Sequence, residues 1–556
     1  MQERGETPQC SFQLPKAYGD RCPFEFRSNQ LLEAHGALLC PFHAPLSVQK
    51  KFFSGASWED QFWSLLKRQA EASDSRVLAN RILFLDGVVF PGDITSTTLA
   101  ELGIYFDILS LSKATVNGHC ELQEFAGSFS APRAIFTGDL TLRGTSLECN
   151  LADAQIEGQA KFTGTSFSEL ANFEGTRFLG PVEFSGTTFQ CYTEEGTSIW
   201  NEDLSDRQLV SFRTTQFRGF ANFARAQFPA SVSFYRARFS AGYSFARAQF
   251  KDVSFREARL DMEQSPTNVK ARTDSQSFFL ATFGKFLLCK GARFKGTTSF
   301  AGTRFDGAIE FTDAEFLGDV HFESVQSIGD ADDKRSRDRQ LSTTKFDGTI
   351  FGGRAIFDRR TFRELADFHE ATFSRPPEIF GAAFENGILI SANRIGDAES
   401  IREVHSARLL RKEMQKDGAF PEYDRLLQIE QGGLRRFEDL PLRTRLLLTA
   451  YWVICDYGGS LLRPSLWFVL VQLAALQTYS SLLGRTCQGQ SVPLGELIRF
   501  TFRQVFVPFS ALHNKGDFIG TCQVVGSQYI GIPHTISSLV LIALVVLIIR
   551  RSVRAF

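Results

Sequence analysis

Cys10, Cys22, Cys40 and His43 are of types that together suit one chemistry, the holding of a divalent cation by sulfur and nitrogen donors. Thiolates and imidazoles are the usual ligands of tetrahedral zinc sites, and the Cys-Pro-Phe-His run at 40–43 places two of them three residues apart. The segment around them has little hydrophobic periodicity, so a metal would supply folding energy that a small core cannot. The expectation is a structural Zn2+ on Cys10, Cys22, Cys40 and His43, with His35 as a substitute ligand. The alternative is three reduced cysteines that only pack.

A second pair, Cys487 and Cys522, lies between two apolar segments near the C-terminal end. Outside the cytosol a disulfide there would close a loop of about 35 residues; two unpaired cysteines are the alternative. Residues 212–260 carry Arg213, Arg218, Arg225, Arg236, Arg238, Arg247, Lys251, Arg256 and Arg259 against Asp252 and Glu257, a local net charge of +7 in a chain of overall charge -1. Such a basic face suits an anionic partner or a lipid surface, or serves only to keep an apolar repeat soluble. The balanced overall charge gives no reason to expect a nucleic-acid partner. Phosphate-cradling GxxxxGK and nucleophile GxSxG motifs are missing, and His369-Glu370 lacks a second histidine four positions after the first, so no catalytic role is expected.

The elements that must position these groups are written in phenylalanine, which occurs 56 times against 3 methionines. One rigid aromatic used so often fills one structural slot repeatedly. Phe162, Phe167, Phe173, Phe178, Phe184 and Phe189 alternate steps of five and six. So do Phe212, Phe217, Phe223, Phe228, Phe234, Phe239, Phe245 and Phe250. A period near eleven also fits a supercoiled helix, but runs such as FEGTRFLGPVEFSGTTF are poor helix interiors. Two residues before these rings stand small or β-branched side chains, among them Ala171, Thr176, Val182, Thr187 and Ala221, and both positions should point inward. The pattern resumes at Phe294 and again at Phe346, ending near Phe384.

This pattern resembles the pentapeptide-repeat family in its phenylalanine-rich variants. The resemblance implies a right-handed, four-sided β-helix, here over residues 84–392, with Phe162, Phe167, Phe173, Phe178, Phe223, Phe228, Phe234, Phe239, Phe245 and Phe250 in its core ladder. About ten coils would hold the repeats, a rod on the order of 50 Å at ~4.8 Å per strand. Polar stretches near 191–211, 261–277 and 325–344 interrupt the pattern and read as projecting loops. Family members that mimic DNA have acidic faces, and the basic stretch here has the opposite sign, which counts against that activity.

The solenoid's ends need caps. Ser57 to Asp60 is expected to start a helix through Phe62, Trp63, Leu65 and Leu66, within an N-terminal segment of residues 1–75. At the other end, juxtamembrane helices are expected within residues 397–460.

Two apolar stretches, 464–483 and 529–549, are long enough to cross a ~30 Å hydrocarbon core. Eight arginines flank them outside against four basic residues between them, which places both termini in the cytosol, the tail being 550–556. The first 30 residues lack a signal-peptide pattern, which agrees. Leu446 to Cys455, and Leu494 to Leu512 within the intervening 484–528, read as interfacial helices. DYGGSLLRPSLW at 456–467 and the basic tail resemble bacterial pentapeptide-repeat proteins with a two-span C-terminal module.

The fold class expected is therefore a mainly β solenoid with an α-helical linker and two transmembrane helices. The function expected is an inner-membrane scaffold that offers a cytosolic β-helix to a protein partner. The alternative is an oligomer whose spans surround a pore, with Gln472 and Gln477 facing inward. The segment between the spans resembles the pore helix of two-span cation channels, but no TVGYG-like filter follows it.

Overall fold

Each rung of the β-helix begins with the geometry of one repeat. A ring points inward, the next residue points out, and a two-residue turn or a glycine corner redirects the chain. The computed structural model describes the chain apart from residues 1–8, 13–21, 25, 35, 54–57, 72–77, 80, 104–105, 145–146, 191–209, 262–275, 326–339, 342, 417–419, 487–492, 507–517, 520–521, 524–526 and 555–556. The interruptions expected near 191–211, 261–277 and 325–344 fall almost wholly outside the described residues.

Before the solenoid come helices α1 (Leu46–Phe52) and α2 (Trp58–Ala70). Helix α2 buries Phe62, Leu66 and Ala70, the face expected of a capping helix; its proposed first residue, Ser57, lies outside the described residues. A short helix α3 (Ser96–Glu101), capped by Thr95, leaves the first coil.

The solenoid is a parallel β-helix built from short strands stacked rung on rung. One ladder has 12 strands, from Val89–Phe90 to Thr372–Phe373, so there are twelve rungs where about ten were expected. At ~4.8 Å per rung this stack is about 55 Å long. The additional rungs lie before Phe162, where the inward slots hold Leu122, Leu142, Leu147, Leu151 and Ile156, so a count of phenylalanines passes over them. Coil length changes along the stack: Ile135 pairs with Gln155, 20 residues on, whereas Gln155 pairs with Arg177, 22 residues on. The alternating steps of five and six are this longer coil.

Inside, the rings form columns. Phe184 stacks on Phe223 at 4.8 Å and 11°, and Phe223 on Phe245 at 4.8 Å and 15°. Strand spacing imposes this near-parallel contact within a column. Neighbouring columns meet edge to face: Phe212 lies 5.4 Å from Phe223 at 87°, and Phe234 lies 5.6 Å from it at 90°. That alternation matches the ring quadrupole. All ten phenylalanines of the expected core ladder are at most 3% exposed.

The small slots serve the backbone. Thr176 donates to Leu151 O at 2.8 Å and Thr187 to Phe162 O at 2.6 Å, each tying a coil to an earlier one through a buried hydroxyl. One small slot holds Arg360, which is fully buried. Its guanidinium donates to Thr303 O at 2.9 Å, Phe300 O at 3.2 Å and, closest, Phe322 O. A glycine corner repeats at Gly138, Gly158, Gly180 and Gly219 because rungs approach closely there. A Cβ on Gly180 would lie 2.3 Å from Gly158 O.

The chain divides into two compact units, residues 1–373 with 379–390, and residues 374–378 with 391–556. In the second unit, α4 (Ile401–Lys416) packs on α5 (Phe420–Phe437) through Leu410, Met414, Leu426 and Ile429. The buried Glu430 accepts from Arg408 at 2.7 Å and Arg411 at 2.8 Å across that pair. Then follow α6 (Leu442–Cys455), α7 (Leu462–Thr486), α8 (Leu494–Phe506) and α9 (Ser527–Arg554). Two stretches of these, Leu462–Leu483 and Tyr529–Arg550, are long and apolar enough to cross a membrane.

Helix α8, read from sequence as interfacial, buries Leu497 and Phe500 in a cluster with Ala475, Tyr479 and Leu483 of α7. Gln472 donates to Ser538 Oγ at 2.9 Å and faces His534 Nε2 at 3.1 Å, whereas Gln477 is exposed. The two glutamines thus occupy different faces of α7, and Gln472 is satisfied within its own chain.

Candidate metal centre

Cys10, Cys22, Cys40 and His43 converge, their donor atoms all within 4.8 Å of one another. The short turn Pro41–Phe42–His43 folds back so that His43 N bonds to Cys40 O at 3.0 Å, which brings His43 Nδ1 to 3.1 Å from Cys40 Sγ. Cys10 and Cys22 add their sulfurs at 3.4 and 3.5 Å from the same nitrogen, and Cys22 Sγ lies 3.8 Å from Cys40 Sγ. These are close to the edges of a tetrahedron around zinc. Bonds of ~2.3 Å to sulfur and ~2.05 Å to nitrogen give edges of ~3.8 Å between sulfurs and ~3.6 Å from sulfur to nitrogen.

The imidazole tautomer fits the same purpose. His43 Nε2 lies 2.9 Å from the carbonyl oxygen of Asp86, which can only accept, so Nε2 carries the hydrogen and Nδ1 presents its lone pair to the sulfurs. The amide of Cys40 donates to Cys10 Sγ at 3.2 Å, a bond that favours thiolate. Hydrogen bonds from Cys22 and Cys40 draw the Cys10 thiol below its ordinary value; the bond to Cys10 pushes Cys22 up to about 12, and burial pushes Cys40 up. A dication would offset two of the three thiolate charges.

The cluster is fastened to the first coil. Asp86 is itself held by Ser110 Oγ at 2.5 Å and Ser112 N at 2.9 Å, while Val89 N donates to Phe42 O at 2.7 Å. Phe12 stacks on His43 at 4.0 Å and occupies the space a Cβ on Gly87 would need, 2.0 Å away. Residue type and spacing pointed to the four ligands but to neither Asp86 nor Gly87. A backbone acceptor leaves no residue-type signal, and Leu85-Asp86-Gly87 looks like any turn.

The remaining expected sites are placed as follows. His35 and Cys487 lie outside the described residues, as does the side chain of Cys522, so the disulfide expected there is not described. The nine basic residues occupy several stations around the coil instead of one face. Arg213, Arg236 and Arg256 lie on one turn and Arg225 and Arg247 on another, as the links Thr214 N to Tyr235 O and Arg225 N to Ala246 O set out. Arg238 and Arg259 pair in the 12-stranded ladder, with Arg218 just beyond its strand, and Lys251 sits on a third side. Steps of five and six carry successive arginines round the corner, which a linear charge count cannot register.

Residues 147–190 and 290–332 match the family model for pentapeptide repeats (9 copies). Together with the parallel rungs and the phenylalanine columns, this makes the solenoid a pentapeptide-repeat β-helix, a protein-interaction fold. Comparisons with curated proteins and with solved structures find no match.

Proposed function

We propose that the protein is a membrane-anchored scaffold whose β-helix presents its outer surface to a protein partner, with no catalytic role. One observation carries this reading: ring columns fill the interior of the solenoid, so its outside is what remains for recognition. The apolar stretches in α7 and α9 support the anchor, and arginines at their outer flanks favour a bacterial inner membrane with both termini cytosolic. In the same reading Cys10, Cys22, Cys40 and His43 hold one structural Zn2+ that closes the N-terminal coil, supported by the tetrahedral spacing and the Asp86 contact.

Cross-linking in cells tests the scaffold, comparing the full chain with one ending before Arg463. The same cross-linked proteins are expected from both. Loss of every partner with the spans, together with conductance of the full chain in planar bilayers, would overturn the reading in favour of a pore.

A further inference from the structure

Helix α5 and the turn that follows α6 enclose a cavity of about 190 Å³ in the second unit. The turn is unusual in its backbone. Asp456 and Tyr457 hold φ of 52° and 57°, two successive non-glycine residues in the left-handed region, before Gly458 at 90°. Such strain persists only where the surroundings hold it, and it collects at binding sites. Here it carries the Tyr457 ring against Gly432, whose Cβ, if added, would meet that ring at 3.8 Å. Tyr457 is 3% exposed, lines the cavity, and its hydroxyl has no hydrogen-bond partner among the described residues. A buried hydroxyl without a partner calls for an explanation.

The charges around the cavity are unevenly matched. Asp397 is paired with Arg425 at 3.2 Å and Asp456 with Arg463 at 3.3 Å. Arg435 and Arg436 also line the cavity, and neither has a carboxylate within salt-bridge distance among the described residues. The Arg435 guanidinium carbon lies over Trp452, 4.3 Å from the ring centre, a contact that holds the group through its face and not through its N–H donors. Burial raises the Tyr457 hydroxyl's pKa, the two guanidiniums oppose that shift and Asp456 adds to it, so the hydroxyl stays a donor at neutral pH.

We infer that this cavity binds a phosphate group, with Arg435 and Arg436 supplying charge and Tyr457 a hydroxyl hydrogen bond. Phosphate fits because it presents several acceptor oxygens and more than one charge, as two guanidiniums and a phenol require. Its source is either a lipid headgroup or free phosphate. Leu462, where α7 begins, follows Gly458 by four residues, and α6 exposes Leu446 and Leu447, so a headgroup would be in reach if the anchor proposed above holds.

The test uses the full chain purified in an uncharged detergent, titrated with inorganic phosphate and with short-chain phosphatidic acid, the matching diacylglycerol serving as control. Saturable binding of at least one phosphate-bearing probe is expected, and none of diacylglycerol. Equal binding of both phosphate probes makes free phosphate the ligand; binding of phosphatidic acid alone makes it a lipid headgroup. The R435Q/R436Q double variant should weaken binding by about tenfold or more, and Tyr457→Phe by about threefold or more. Tyr457→Phe removes a hydroxyl that bonds to nothing among the described residues, so its melting temperature without probe should not fall, and it decides the matter if the arginine variant does not fold. Absence of saturable binding, or equal affinity in wild type and Tyr457→Phe, overturns the inference. The anchor can fail while phosphate still binds, so the two readings stand or fall separately.

Discussion

Replacing Cys40 with serine removes one of four converging donors from a site where Cys40 Sγ sits 3.1 Å from His43 Nδ1 and the residue has no exposed surface. The serine oxygen is a poor zinc ligand at neutral pH, so affinity should fall by at least ~100-fold, beyond the usual loss of a supporting contact. At a free zinc concentration ~100 times the dissociation constant, binding stabilises the folded form by ~2.7 kcal/mol, nearly all of which the substitution forfeits. The loss should be local. The route runs from His43 Nε2 to Asp86 O at 2.9 Å, then from the Asp86 carboxylate to Ser112 N at 2.9 Å. Hydrogen exchange should therefore quicken in the first coils, around Asp86 to Ser112, and be unchanged beyond Phe300. Metal analysis of the same samples should give one zinc per wild-type chain and much less in the variant. Cys120→Ser, at a buried cysteine that is not one of the four, should keep its zinc. Equal zinc in wild type and Cys40→Ser, or chelation without faster exchange near Asp86, would rule out a zinc held by these four residues.

The other predictions concern the solenoid. Phe223→Ala should cost about 3–5 kcal/mol in denaturant unfolding, since the ring stacks on two neighbours at 4.8 Å and meets two more edge on. Gly180→Ala should destabilise by about 1–3 kcal/mol, because its Cβ would meet backbone 2.3 Å away that cannot swing aside. Arg360→Met should cost about 2–4 kcal/mol by taking the guanidinium from the buried carbonyls of Thr303 and Phe322. His321 has a raised pKa through its bond to Glu323 at 3.2 Å, so its contribution is complete below its unfolded value and lost as pH rises through the higher folded one. Unfolding measured from pH 5 to 9 should show that loss in wild type and not in His321→Gln.

The solenoid was legible because every coil repeats the same inward slot, so the spacing of Phe162 to Phe189 alone specifies rungs. The earlier coils were less legible, since Leu142, Leu151 and Ile156 are residues any core uses. The Cys/His cluster was legible through the Cys40–His43 spacing, which one turn brings together. Its anchorage was not, because Asp86 contributes a carbonyl 43 residues away from His43. Charge gave the least: the arginines after residue 212 are neighbours in sequence, yet the five-and-six step sends them to different sides. Tyr457 and Arg435 likewise come to line one cavity only after α5 and α6 have packed.

Anchoring of the solenoid to a membrane is the central claim, and alkaline carbonate extraction of membranes from cells producing the full chain tests it most directly. The full chain is expected to stay with the pellet, and a chain ending before Arg463 to move to the supernatant. Release of the full chain by carbonate would contradict it.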